Sequence, residues 1–262
     1  MINIMRADMY RILRGKAIYI TFAIVLVLTI LMVYIFRSAP NIGVTIDDPY
    51  FMVAAETMSG AIAATMALGS MDNLTAFFLV IFSIIAVDAF ACNAIKNELS
   101  TGASRTKLFM SKWMLSSLVS IGLMLLYLLI SVIFATTVDG FGYWGDGLFL
   151  DVLQAFGAQA VITMALCSVG VFLSFTLRKS GAVIGIYLAV IFAPTMILAL
   201  LSLAFPDVMD LLRFDLNSQY GVFAQMATQS ATDIARGFAI GLGFLIVSIV
   251  GGIMLFKRAE IK

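Results

Sequence analysis

The sequence predicts an all-α polytopic membrane protein with six transmembrane helices and an amphipathic helix at its N-terminus. Of the 262 residues, 62% are hydrophobic and only 12% are charged, and the mean hydropathy is +1.07. A soluble domain carries about 25% charged residues. Six apolar runs approach or exceed the roughly 20 residues that a membrane span needs. Residues 1–262 are therefore expected to form a single transmembrane domain.

Residues 1–16 are predicted to form an amphipathic helix in the membrane interface. Apolar residues recur there at helical spacing and cations occupy the other faces, which favours a helix with its apolar side toward lipid. The apolar residues are Ile2, Met5, Met9, Ile12 and Leu13, and the cations are Arg6, Arg11, Arg14 and Lys16. A cleaved signal peptide is the alternative, but the next apolar run, 17–36, is long and no convincing cleavage site follows it. We interpret 17–36 as the first span.

Five further spans are predicted, at about 74–95, 113–136, 152–177, 182–205 and 237–256.

The two longest connections are expected to lie outside. Residues 37–73 contain a fairly apolar stretch, Tyr50–Leu68, that is rich in Ala, Gly, Ser and Thr. A seventh span there would place the cation-rich segments on opposite sides, so we favour a re-entrant or an interfacial helix and leave open which of the two it is. Residues 206–236 are predicted to form short helices at the outer membrane surface.

Asp88 and Pro194 are unusual residues for the interior of a span. A carboxylate in hydrocarbon is costly, so Asp88 is expected to face protein or a watery cavity. Its role is either a proton relay or substrate contact, or hydrogen bonding near the cytoplasmic end of the span. Pro194 predicts a kink, because proline removes an amide and clashes with the preceding turn.

Neither catalysis nor a cofactor is predicted for this chain. Histidine is absent, which removes the commonest metal ligand and proton shuttle. The sequence contains no G-x-x-x-x-G-K-[ST] loop that could cradle a nucleotide. The net charge of +1 offers no electrostatic case for nucleic acid. An enzyme and a metal site are therefore not expected.

Charge asymmetry predicts the orientation in the membrane. Thirteen of the sixteen Lys and Arg residues lie in 1–16, 96–112, 178–179 and 257–262, whereas eleven of the fifteen acids lie in the segments assigned to the other side. Short loops rich in Lys and Arg stay in the cytoplasm. Both termini are therefore predicted to be cytoplasmic, and six spans give the even number that this requires.

The longest polar segment on the cation-rich side is residues 95–112, between the second and third spans. Its one acid, Glu98, stands among four cations, Lys96, Arg105, Lys107 and Lys112. The side-chain oxygen of Ser100, Thr101 or Ser104 could cap a short helix there. A basic loop that only fixes topology is the plain alternative.

Residues 102–112, GASRTKLFMSK, resemble the G-x-S-R-x-x-x-F-x-x-K segment of type-2 ABC exporter permeases. The resemblance is closest to the six-span subfamily associated with export of bacitracin-like, lantibiotic and amphipathic toxin peptides. Residues 95–97 also fit, whereas Asn93-Ala94 replace a Gly-Thr pair that the family often has. The resemblance implies that this segment is a coupling helix that docks onto an ATPase through Glu98, Gly102, Ser104, Arg105 and Lys107.

Three of these residues have expected roles. Gly102 lets the backbone turn, and the planar fork of Arg105 suits carboxylates or carbonyls of a partner. Glu98 pairs either with a cation of the partner or with Lys96 or Arg105.

The resemblance implies a permease subunit of an ATP-driven exporter in a bacterial cell membrane. A separate ATP-binding subunit would hold ATP and Mg, and a second copy or a paralogue would complete the transporter. Apolar spans with adaptable Met residues favour an amphipathic peptide as substrate, such as a bacteriocin or toxin. Export of lipids or hydrophobic drugs is the nearest alternative. A secondary transporter or channel is the alternative of another class; such proteins usually place several ionisable groups or paired broken helices near the midplane.

Overall fold

The computed structural model describes residues 2–38, 59–92, 94–100, 102–142, 147–203 and 213–258, together with residues 205 and 211. All regular structure within these residues is helical, and six segments are long and apolar enough to cross a membrane. The all-α, polytopic membrane class is therefore confirmed.

The α-helices of the described residues are, in chain order, α1 (Ile2–Arg14), α2 (Lys16–Ser38), α3 (Gly60–Gly69), α4 (Thr75–Phe82), α5 (Asp88–Ala91), α6 (Ala94–Ser100), α7 (Arg105–Asp139), α8 (Leu148–Leu177), α9 (Ser180–Ser202), α10 (Gln219–Ala224) and α11 (Ala231–Arg258). The six candidate spans are α2, the composite segment Met71–Phe90, α7, α8, α9 and α11. A 3-10 turn at Met71–Leu74 precedes α4, and a π-helical stretch at Ser83–Val87 joins α4 to α5.

Helix α8 is the most buried span and forms the centre of the bundle. It packs against α7, α9, α11 and the second span. Glycines make the close approaches possible: a Cβ atom on Gly170 would overlap the ring of Phe82, and one on Gly252 would overlap the ring of Phe109. Small residues allow helices in a membrane to pack backbone against side chain. Gly170 and Gly252 are therefore packing positions of α8 and α11.

Two spans begin earlier than predicted because polar side chains cap them. Helix α7 begins at Arg105 and not near residue 113, and Ser104 accepts a hydrogen bond from the Lys107 amide at 3.3 Å. Helix α11 begins at Ala231 and not near residue 237, and the Ser230 hydroxyl accepts from the Asp233 amide at 3.2 Å. Both contacts satisfy amides of a first turn, which have no partner within their own helix.

The second span starts at Met71, slightly before the predicted position near residue 74, and a separate helix, α3, precedes it. Helix α3 packs along the half of α7 that is farther from Arg105 and leads through the 3-10 turn into α4. Its first amide, of Gly60, donates to the Gly140 carbonyl, and Ser70 at its far end contacts Tyr127 hydroxyl to hydroxyl at 2.8 Å. The Ala- and Gly-rich sequence permits this close packing. The choice between a re-entrant and an interfacial helix stays a prediction. Residues 39–58, the rest of that outer segment, lie outside the described residues.

The prediction of surface helices in residues 206–236 is wrong for α10. Gln219, Tyr220 and Phe223 are buried, and the helix packs against α8, α3 and α11. The Gln159 side chain of α8 donates to the Tyr220 carbonyl at 2.9 Å. Helix α10 is therefore inserted into the bundle, because its aromatic side chains and the Gln159 amide need partners inside it.

Candidate functional site

The cation-rich segments meet at one end of the helical bundle, which we call the cation-rich end. The ring of Phe175, near the end of α8, lies 5.1 Å from Phe90, 5.1 Å from Phe109 and 4.7 Å from Phe256, so four helices converge there. The guanidinium of Arg178, directly after α8, lies 5.6 Å from the Phe90 ring centre. The described parts of the four segments therefore share one side, as the charge count predicts.

The predicted coupling segment forms a compact elbow, defined here as residues 94–107. Helix α6 ends at Ser100, and Gly102 reverses the chain with φ +88°, a value that L side chains rarely adopt. Ser104 then caps α7, which starts at Arg105. The roles expected for Gly102 and Ser104 as turn and cap residues are confirmed, although Ser104 caps the long span and not a short helix. The side chain of Lys107 is exposed.

An ion pair buried from solvent links the elbow end of α7 to the N-terminal helix. The ammonium of Lys112 lies 2.6 Å from both carboxylate oxygens of Asp8, and both side chains are almost fully buried. Glu98 of α6 lies 3.6 Å from the same ammonium, and Arg11 lies 3.3 Å from Asp8. Two acids and two cations thus tie α1, α6 and α7 together with balanced charge.

Helix α1 buries a charged residue on the side that faces the bundle. Its buried residues are Asp8 and Ile12, one turn apart on the side that packs against α7, whereas Tyr10 and Leu13 are more than half exposed. The helix therefore buries a charged residue together with Ile12, and the interfacial position of its apolar side stays a prediction. Burial of Asp8 is tolerated because Lys112 neutralises it.

Burial makes Glu98 less acidic than usual. Desolvation raises its pKa above the ordinary value of 4.5, the neighbouring Asp8 carboxylate raises it further, and the positive charges of Lys112 and Arg11 oppose both effects. Desolvation is the largest of these contributions. Glu98 was expected to pair with Lys96, Arg105 or a partner; Lys112 is an ion-pair partner that the sequence did not predict.

The Arg105 guanidinium binds carbonyls of this chain, and its contact with a partner stays a prediction. One of its nitrogens donates to the carbonyls of Phe256 at 2.9 Å and Lys257 at 2.8 Å, in the last turn of α11. Carbonyls of a last helical turn have no partner within the helix and carry its negative dipole end, which a cation stabilises. Arg105 therefore anchors the elbow to the end of the final span.

Asp88 lies in the last part of the second span, directly after the π-helical stretch, and is exposed on the surface of the chain. The expectation that it faces protein or a watery cavity stays a prediction, because its exposed side of the chain could meet either. Nearby, Arg11 reaches the Ile85 carbonyl at 3.4 Å and the Cys92 sulfur at 3.6 Å. Pro194 lies inside α9, which continues through it.

A second polar cluster, which was not predicted from the sequence, lies at membrane depth around the 3-10 turn that precedes α4. Thr75 donates to Asn217 at 2.9 Å, and Thr195, the residue after Pro194, donates to Asp215 at 3.0 Å. At 1.5 Å per residue, Thr195 lies about 22 Å along α9 from its cation-rich end. Hydrocarbon is about 30 Å thick, so residues 215–217 extend into the bundle at the depth of a membrane.

The missed groups carried weak signals in the sequence. Asp8 is the one acid in α1 and lies a helical turn before Ile12, and Lys112 follows Leu108 by four residues on the buried stripe of α7. A charged residue at a buried position of each helix indicates a buried ion pair. The sequence of one helix does not indicate, however, which helix supplies the opposite charge. Nothing comparable marks Asn217, which lies in a connection between spans.

The fold and these contacts define a polytopic helical membrane protein. Among the described residues, no three His, Cys, Asp or Glu side chains come together as a metal site. Residues 24–262 match the family described as "Protein of unknown function (DUF2705)", and the chain belongs to that family. A search of curated proteins finds no match.

Proposed function

We propose that this chain is the permease subunit of an ATP-driven exporter of the ABC class, with ATP hydrolysis on a separate subunit. One observation carries the proposal: the elbow is a short exposed helix and turn that is fixed to other helices by charge. Lys96 and Asn97 of α6 are exposed to a partner, while Glu98 in the same helix contacts the buried pair. A simple topology loop needs no such anchorage.

The contacts suggest how a displacement of the elbow would be transmitted to other helices. A displacement of α6 would act on Lys112 through Glu98, and Lys112 is paired with Asp8 of α1. Arg105 couples the start of α7 to the end of α11. Separating a buried charge from its partner costs about 3–5 kcal/mol, so these helices are expected to move together.

The orientation belongs to the same proposal. The cation-rich end faces the cytoplasm, since Lys and Arg in short loops are retained there, and both termini then lie on the side of the ATPase in a bacterial cell membrane. Six spans supply half of a twelve-span transporter, so a second copy or a paralogue completes it.

We propose an amphipathic peptide as the substrate. The exposed faces of the spans offer Leu, Ile, Val, Phe and Met, which suit an apolar peptide face and leave hydrophilic solutes without compensation for desolvation. Lipids and hydrophobic drugs meet the same surface and are the alternatives. ATPase activity of the reconstituted complex should rise with an amphipathic helical peptide and not with its residue-scrambled isomer. Equal responses would refute the peptide substrate and leave the permease proposal standing.

A secondary transporter is the second candidate, favoured by the broken second span and the polar residues at membrane depth. Asp72 in the 3-10 turn and Asp215 add two carboxylates to that region. Purification of the chain co-expressed with the genes that flank its own separates the two. Stoichiometric co-elution of an ATPase supports the permease. Its absence, together with solute movement driven by an imposed ion gradient, supports the secondary transporter.

A further inference from the structure

A cavity of about 320 Å³ lies between α2, α3, α4 and α7, in the half of the bundle away from the cation-rich end. It follows α2 from Val25 to Val33, which is about 12 Å at 1.5 Å per residue. The cavity is therefore a slot that runs along the helices. Leu28 and Met32, which line it, are also exposed on the outer surface of α2, so the slot can be reached from the side of the bundle.

Among the described residues, the lining of this slot is apolar except for a few neutral groups and includes no charged side chain. The hydroxyls of Thr29 and Ser131 donate to carbonyls of their own helices, and those of Ser70 and Tyr127 bond to each other at 2.8 Å. These groups need no ligand. Asn73, exposed at the slot, donates to the Ser70 carbonyl, and its side-chain oxygen accepts no hydrogen bond from the described residues.

We propose that this slot binds one acyl chain of a membrane lipid. An empty apolar cavity of about 150 Å³ takes up benzene, so this one has room for roughly twice as many carbons. Its elongated shape suits an extended chain, its lining offers nothing to an ion, and it opens at the depth where acyl chains run parallel to the spans. The amide of Asn73 can accept a hydrogen bond from a hydroxylated or amidated chain. Occupation of the slot does not require an ATPase.

The test is photocross-linking in bilayers that contain a phospholipid with a diazirine in the middle of one acyl chain. Ala63 and Ala67 line the slot and are only 1% and 3% exposed, so lipid around the outer surface cannot reach them. Mass spectrometry should find cross-links in residues 63–67 of the wild-type protein. Ala67→Phe fills the slot and should remove at least nine-tenths of them. Ala63→Leu, a smaller change, should reduce them several-fold.

The matched control is Ala239→Phe, at an exposed position of α11, which should leave those cross-links unchanged. Exposed residues such as Leu28 should label in every variant. Cross-links confined to exposed residues in the wild type would overturn the proposal. Cross-links in residues 63–67 that persist in both slot variants would also overturn it, because the lipid would then bind elsewhere.

Discussion

Replacing Lys112 with Met removes the ammonium that neutralises Asp8 inside the protein. Breaking a buried pair by removing one partner costs about 3–5 kcal/mol, because the remaining charge is left unpaired. Arg11 still lies 3.3 Å from Asp8 and is itself one-third exposed, which offsets part of the loss. We therefore expect the lower value, about 3 kcal/mol, which corresponds to a roughly hundredfold shift in the docking equilibrium of α1.

Deuterium exchange of the α1 amides in lipid nanodiscs measures this equilibrium directly. In Lys112→Met these amides should exchange about a hundredfold faster than in the wild type, while amides of α8 stay protected. Lys107→Met is the matched control, since it removes an exposed ammonium from the same helix. The double variant Asp8→Asn/Lys112→Met should recover much of the protection, because no buried charge remains. Unchanged exchange in Lys112→Met, or a double variant as exposed as the single one, would refute the buried-pair reasoning.

Four further predictions follow from the same contacts. Arg105→Ala should expose the last turn of α11 to proteolysis, because the guanidinium satisfies two carbonyls there. Arg105→Lys should restore part of the protection. Equal cleavage of the wild type and both variants would contradict this. Gly102→Ala should lower the unfolding free energy by about 1–2 kcal/mol, because an alanine at this positive φ is strained although space for its Cβ is free. Gly122→Ala, in the middle of a helix, should not lower it. Thermal unfolding of the two variants and the wild type tests this. Glu98 has a raised pKa in the folded protein, so its ionisation lowers the free energy of unfolding. The wild type should therefore gain stability relative to Glu98→Gln as the pH falls toward 4.5. A stability difference that does not change with pH would count against burial of this carboxyl. Cysteines at Thr137 and Ser230 should react with an impermeant reagent outside cells, and those at Asn3, Ser104 and Ser180 should not; labelling of Ser104 from outside would reverse the orientation.

Much of the fold could be predicted from the sequence, because bilayer thickness fixes the length of an apolar span. The turn at 178–179 and the reversal at Gly102 also follow from local chemistry, since few residues are available to each. The position of α3 could not be predicted, because an Ala- and Gly-rich stretch has similar hydropathy on a surface and inside a bundle. Its burial depends on Tyr127 and Gly140, far away in the chain.

The candidate site could be predicted only in part. The sequence identifies the elbow by its charges and its resemblance, but a side chain's partner depends on tertiary contacts. Arg105 reads as a group for binding a partner, yet it holds the final span, and Glu98 contacts Lys112. Charge reversal at these two residues would therefore disrupt the bundle as well as any docking surface. A test of docking needs the exposed neighbours instead.

The most direct measurement places a photocross-linking amino acid at Lys96 or Asn97, two exposed residues of the elbow, in the native cells. Thr228, exposed near the start of α11 at the opposite end, is the matched control position. The permease proposal predicts a covalent adduct with a nucleotide-binding subunit from Lys96 or Asn97 and none from Thr228. No ATPase adduct from either elbow position, or equal capture from Thr228, would contradict it.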